Sequence, residues 1–233
     1  YSFNASKYSN WAGFSLQWYE KLFRNSQILR SLNNSLILAF SSCGLSILIG
    51  TAGAVGMARS RFRTQGLLEN VSMIPMMMPE IILGMAYLAF FSIIRIPFGI
   101  LTLIIAHTTF CIPYIFINVQ SRLVGLAPAY VEAARDLGAS PTRAFYDVTL
   151  PLITPAILSG ALLSFAMSMD DVVISFFVTG TTSNTLPLQV YSMLKMGVTP
   201  EVNALCTLML LVVFGGIGLY YLLTTLLKKE KKQ

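Results

Sequence analysis

Charge is scarce in this chain. Only 11% of its 233 residues are Asp, Glu, Lys or Arg, where soluble domains carry roughly a quarter. Hydrophobic residues make up 55%, and the mean hydropathy is +0.68. This excludes an ordinary soluble domain and makes lipid the expected solvent. The net charge of +6 would suit nucleic acid if it lay on one face. The basic residues instead fall between apolar runs, as in membrane proteins, so no nucleic-acid partner is expected. The three cysteines, Cys43, Cys111 and Cys206, sit inside apolar runs with no CxxC pair or histidine cluster. Neither a disulfide framework nor a metal site is expected, and they read as small packing residues. One histidine, His107, is too little for an intramembrane enzyme, which needs a nucleophile–base or metal constellation. It reads as a packed polar residue rather than a proton relay. No GxxxxGK[S/T] occurs, so the chain is not expected to hydrolyse ATP, and no catalytic residue or cofactor is assigned. The sequence starts at Tyr1 without a basic-then-apolar leader, and a first span is expected upstream of it.

What is present is a set of long apolar runs. Crossing about 30 Å of hydrocarbon takes about 20 mostly apolar residues. Five stretches qualify: Ser35–Ala58, Leu67–Ile94, Phe98–Val119, Leu152–Val178 and Ala204–Leu227. Lysine and arginine in the connections set the orientation. Arg59, Arg61 and Arg63, then Arg122, Arg135 and Arg143, then Lys228, Lys229, Lys231 and Lys232 are the densest basic segments. With all three in the cytoplasm the spans alternate without conflict, the C-terminus is inside, and residues 1–34 form an external segment. Lys7, Lys21, Arg24 and Arg30 in that segment run against the charge rule. Pro75 and Pro79 should interrupt the second span, Pro113 the third, and Pro151 with Pro155 the start of the fourth. In lipid such breaks need protein or a polar cavity to satisfy the freed backbone groups, which favours a bundle with an internal path. Gly50, Gly53 and Gly56 permit close helix packing.

The connection between the third and fourth spans, residues 122–151, is the most informative. Tyr130–Leu137 is a good helix former, with Pro128 near its start and Gly138 at a C-cap position. A second short helix is predicted over Pro141–Val148, with Ser140 as N-cap and proline first. Ala133 and Ala134 allow another protein to approach closely, and Leu150-Pro151 then turns the chain into the bilayer. The pattern Glu132-Ala133-Ala134, Gly138 four residues on, then Val148-x-Leu150-Pro151 after nine more resembles the EAA loop of binding-protein-dependent ABC permeases. The only departure is Val148 where the family has isoleucine. The resemblance implies an all-α, polytopic transmembrane helical bundle of the type I importer (MetI-like) permease core. It makes residues 1–233 a single transmembrane domain in the bacterial cytoplasmic (inner) membrane. It also implies that Glu132, Ala133, Ala134, Asp136, Gly138, Leu150 and Pro151 form the coupling site for an ABC ATPase pair. A second permease subunit, a distinct paralogue, and an extracytoplasmic substrate-binding protein are the other expected partners, beside membrane lipid.

The stretch Leu163–Val173, containing Met169-Asp170-Asp171, resembles the second permease subunits of spermidine/putrescine importers, as do Phe177–Gly180, Leu186-Pro187-Leu188, Tyr191–Met193 and Pro200–Ala204. The implied cargo is a small cationic solute, a polyamine, moved inward by ATP-driven alternating access. Permeases for other small solutes (iron chelates, amino acids, phosphonate-type compounds) share parts of this pattern. A secondary transporter is the remaining alternative, though it would not need the EAA loop. Physical reasoning adds Glu80, Asp170 and Asp171 as acids at membrane depth, costly there and therefore functional candidates. From Pro155 to Asp170 a helix rises about 22 Å, which puts the aspartate pair in the outer part of the membrane. A cationic solute would supply the charge these acids lack, with Tyr87, Phe90 and Phe165 adding cation–π contact. The alternative for Asp170 and Asp171 is that they lie at the interface, cap a helix end or pair with the partner permease. Adjacent helix positions point about 100° apart, so the two are not expected to face one cavity squarely.

Overall fold

The computed structural model describes residues 2–6, 11–59, 63–126 and 129–230, without the side chains of residues 59, 217 and 219–230. Lys7, Arg61, Pro128, Lys231 and Lys232, used above, lie outside the described residues. Among those described, all regular structure is helical, apart from an isolated antiparallel bridge between Asn4 and Phe14.

The chain divides into two compact units. The smaller comprises Tyr1–Arg30 and Gln189–Gln233. Its helix α1 (Gln17–Arg24) buries Trp18 and Leu22 and packs against α11 (Pro200–Glu230). The Trp18 indole N–H donates to the carbonyl of Asn4 at 2.7 Å, and the Asn25 amide donates to Glu201 at 2.8 Å. These bonds tie the N-terminal loop and the α1 end down by satisfying polar atoms that packing removes from water.

The larger unit, Ser31–Leu188, holds most of the apolar helices. They are α2 (Ser26–Arg59, in this unit from Ser31), α3 (Gln65–Met77), α4 (Glu80–Ile93), α5 (Ile100–Val124), α6 (Ala129–Asp136), α7 (Pro141–Ala144), α8 (Leu150–Asp170) and α9 (Val173–Val178), while α10 (Leu186–Lys195) belongs to the smaller unit from Gln189 on. Helix α5 is the centre: it packs most extensively on α8, while α4 packs on α9. Ile115 of α5 shows why glycine is needed on both flanking helices. A Cβ on Gly50 would stand 2.8 Å from the Ile115 Cβ, and one on Gly160 3.1 Å from its Cα. One buried cluster gathers Leu38, Leu83, Phe91, Leu103, Phe110, Ile174 and Val178; a second gathers Ala54, Ile115, Phe116, Val119 and Ile153.

By length and composition, α2, α5 and the continuous helix from Pro141 to Asp170 can each cross a membrane, and α3 with α4 can do so as a pair bent by 106°. The prolines act less uniformly than expected. Pro75 and Pro113 ride inside unbroken helices. The second span breaks only at Met78-Pro79, where the residue before proline is held extended (φ −80°, ψ 141°), as the proline ring demands. Leu150-Pro151 does not redirect the chain, contrary to expectation. A π-helical turn over Phe145–Thr149 carries the helix through: the Leu150 N–H reaches back to the Phe145 carbonyl, shifting the ladder by one residue just before the proline. The fourth span has a break with no proline at all. Helix α8 stops at Asp170, Asp171 is extended (φ −66°, ψ 125°), and α9 starts at Val173.

Candidate functional site: an acidic cavity between two helix breaks

The two breaks meet. Pro75, Met76, Met78 and Glu80 from the first, and Asp170–Ile174 from the second, line one cavity of about 290 Å³, with Leu83, Phe110, Tyr114 and Met167 completing the wall. Helix ends leave backbone groups without intrahelical partners, so a cavity walled by four such ends is polar by construction. Glu80, Asp170 and Asp171 are thus brought together, contrary to the expectation that two adjacent aspartates cannot both face one cavity, because the helix ends between them. Tyr87 and Phe165 are not. Tyr87 stacks on Phe91 (6.2 Å between centroids) and Phe165 packs against Phe40 (5.1 Å). Neither lines the cavity, whose aromatic side chains are Phe110 and Tyr114 of α5. Sequence reasoning missed these two because the local pattern of α5 does not mark which of its residues face the cavity.

The acids differ in what holds them. Among the described residues, Glu80 and Asp170 are exposed and have neither a hydrogen bond nor an ion pair. Glu80 sits in the first turn of α4, where the helix dipole favours a negative charge. Asp170 is at the last position of the 21-residue α8, where the dipole disfavours one. That placement costs stability. Asp171 is different, and of the readings left open for it the helix cap is the one that describes it. Its side chain is 4% exposed. One carboxylate oxygen accepts from the Ile174 N–H (3.0 Å) and the other from the Ser175 N–H (2.8 Å), so it caps α9. Its Oδ2 also lies 3.3 Å from His107 Nε2.

His107 is completely buried in the middle of α5. Its Nδ1 meets Ser168 Oγ at 2.9 Å, and its Nε2 also approaches Ser175 Oγ at 3.2 Å. Ser168 in turn approaches Ser42 Oγ at 3.3 Å. Both ring nitrogens therefore have partners, as a buried polar side chain requires.

The 122–151 connection is a second candidate surface. Helix α6 ends in a pair of bonds that satisfy its last carbonyls: the Gly138 N–H donates to Arg135 O (2.9 Å) and the Ala139 N–H to Ala134 O (3.0 Å). Gly138 has φ +86°, a left-handed conformation that glycine adopts without penalty. Ser140 then caps α7, accepting from the Arg143 N–H at 3.2 Å. Glu132, Ala133, Asp136 and Gly138 are exposed and Ala134 is half-buried. Leu137, 90% exposed at the tip, is an apolar side chain with nothing over it. Beneath α6 a groove runs along Tyr130, Glu132 and Arg135 to Leu123, Val148 and Leu152. Leu150 and Pro151 lie in the helix behind this groove rather than in the loop itself.

An all-helical membrane bundle with broken spans around an acidic cavity, and no metal-ligand cluster among its described residues, is built as a permease. Residues 46–232 match the family described as binding-protein-dependent transport system inner membrane component, and the chain belongs to that family. It is a multi-pass inner-membrane protein and a transporter subunit rather than an enzyme. It is 42% identical over 224 residues to the spermidine/putrescine transport system permease protein PotC of Haemophilus influenzae, spanning 96% of this chain and 87% of that one. It is 39% identical over 242 residues to the putrescine transport system permease protein PotI of Escherichia coli, spanning 100% and 85%. Two solved structures share the fold. A bacterial ABC transporter that imports the acidic polysaccharide alginate has a TM-score of 0.70 at 15% identity, over 90% of this chain and 81% of that one. The inward-facing MetNI methionine ABC transporter has a TM-score of 0.66 at 21% identity, over 83% and 92%.

Proposed function

We propose that the chain is a permease subunit of an ABC importer for polyamines, spermidine or putrescine, and that the cavity between the two helix breaks holds the cationic cargo in transit. The observation that carries this reading is the convergence of two unpaired carboxylates, Glu80 and Asp170, on one cavity that also offers aromatic faces and methionine side chains. A polyamine alternates ammonium groups with methylene chains. The ammonium groups match the carboxylates and the faces of Phe110 and Tyr114, and the methylenes match Met76, Met78 and Met167. A carboxylate–ammonium pair at 4 Å gains about 4 kcal/mol at an effective dielectric of 20. Solvent lowers that gain for Glu80 and Asp170, which are exposed, and what is left offsets part of the few kcal/mol an acid costs at membrane depth. The similarity to permeases named for spermidine and putrescine supports the same cargo.

In this reading the chain works with a second, distinct permease subunit, a pair of ATPase subunits and an external substrate-binding protein. The five spans of the sequence analysis form its core, the C-terminus faces the cytoplasm, and the 122–151 connection is the coupling loop. Glu132, Ala133, Ala134, Asp136, Gly138 and the bare Leu137 tip form the face on which the ATPase docks, and Leu150 and Pro151 pass that motion through a continuous helix to Asp170. ATP closure on one side and loaded receptor on the other bias a two-state bundle. The test is uptake by proteoliposomes holding the assembled importer, given spermidine, putrescine, an amino acid and an iron chelate in turn. ATP-dependent accumulation of the polyamines alone is expected; accumulation of a neutral or anionic solute instead would overturn the assignment.

A further inference from the structure

We infer that His107 is a positioning residue of the cargo site: it clasps both sides of the break in the fourth span and thereby aims Asp170 into the cavity. The inference rests on the polyamine reading and goes beyond it, because His107 lines no part of the cavity.

The break after Asp170 is not made by a helix-breaking residue type. Residues 168–173 contain neither proline nor glycine, and Val172 and Val173 would extend a helix at only a modest penalty. The Asp171 side chain supplies a local cause, and a tertiary one stands beside it. Two sets of bonds act on the break. Asp171 turns its carboxylate onto the N–H groups of Ile174 and Ser175, the local half of the cap. The second set comes from α5, some sixty residues away in sequence. There, His107 Nδ1 holds Ser168 on the α8 side at 2.9 Å, while Nε2 faces Asp171 and Ser175 on the α9 side at 3.3 and 3.2 Å. A single rigid ring thus fixes the separation of the two helix ends. With Nε2 protonated it donates to Asp171 while Nδ1 accepts from the Ser168 hydroxyl, so neither partner is left unsatisfied. The ring also packs edge-on against Phe110 (5.2 Å), which does line the cavity. His107 therefore stands one layer behind both the carboxylate and the aromatic face offered to the cargo. Without the clasp, α8 could continue through Asp170 into α9. The Asp170 carboxylate would then lose its place at a helix end, and Asp171 would lose its cap.

A residue that merely holds the fold together would, when changed, lower transport and ATP hydrolysis together. A positioning residue changes their ratio, because the loaded receptor still triggers ATP hydrolysis while the cavity fails to carry the cargo. The experiment is spermidine delivered per ATP hydrolysed, in proteoliposomes of the whole importer with saturating loaded receptor, for His107→Leu, His107→Gln, Asp170→Asn and His107→Leu/Asp170→Asn. Loss of a supporting contact behind a binding group commonly costs roughly tenfold or more, so His107→Leu should lower the ratio roughly tenfold. Glutamine, whose amide can donate to Asp171 and accept from Ser168, should restore most of it. Asp170→Asn should lower the ratio by itself, and the double variant should fall little further, since the two act through one carboxylate. If His107→Leu does not assemble, His107→Asn replaces it; its shorter amide reaches only one side of the break, and the same fall is expected. An unchanged ratio in the His107 variants, or a double variant equal to the product of the single effects, overturns the inference while leaving the polyamine site standing. An unchanged ratio in Asp170→Asn overturns the polyamine site itself.

Discussion

Gly138 offers a test in which backbone strain and side-chain size predict opposite orders. Its φ of +86° lies in the left-handed region, and a Cβ built on it would meet nothing within 4 Å. Substitution is therefore limited by conformation and not by space inside this chain. An L-residue there costs roughly 1–2 kcal/mol, least for asparagine, which tolerates the left-handed region, and most for a β-branched residue. The same strain loosens the Gly138–Arg135 and Ala139–Ala134 bonds that end α6. If the coupling face must be ordered for docking, 1–2 kcal/mol weakens ATPase binding by a factor of about 5–30. The assay is binding of the ATPase subunits to nanodisc-embedded permease, wild type against Gly138→Asn, Gly138→Ala and Gly138→Val. The expected order of affinity is glycine, then asparagine, alanine and valine. If alanine binds better than asparagine, the glycine is needed for close approach by the partner, and the backbone argument is wrong.

Three further outcomes follow from the packing and the breaks. Gly160→Leu drives a side chain into the Ile115 backbone, where even a Cβ stands at 3.1 Å; overpacking costs about 1–3 kcal/mol, which a lower unfolding temperature in detergent should show, with Gly160→Ala milder. Asp171→Ala removes a helix cap, roughly 0.5–2 kcal/mol, and leaves His107 facing an unfilled position. It should lower thermal stability more than Asp170→Ala, whose side chain has no partner to lose. Pro79→Ala restores a backbone N–H at the 106° bend. Spin labels on α3 and α4 should then report a larger mean separation as the pair straightens; an unchanged distance would mean that packing, not the proline, sets the bend.

Much of this could be read from the sequence, and the reasons differ by residue. The α6–α7 pair was legible because caps are local: Gly138 and Ser140 announce a helix end and a helix start with no help from the rest of the chain. The break at Met78-Pro79 was legible for the same reason, though Pro75 and Pro113 show that proline alone does not decide where a helix bends. The break at Asp171 was harder. Its local trace is an aspartate followed by two β-branched residues, with a serine at Ser175, which reads as easily as a continuing apolar helix. The clasp that makes it was not readable, because His107 and Ser168 are brought together only by the packing of α5 on α8. Composition gave Tyr87 and Phe165 the same standing as Phe110 and Tyr114. Only the turn of each helix toward the cavity separates them.

The most direct trial of the cavity's role is the initial rate of labelled spermidine uptake by proteoliposomes holding the full importer, Glu80→Gln/Asp170→Asn against wild type, at equal amounts of assembled complex. Two lost carboxylate–ammonium pairs, discounted for solvent because both acids are exposed, should still remove roughly 1.4 kcal/mol, or tenfold. A fall of that size is expected, while uptake equal to wild type would show that the cation travels elsewhere.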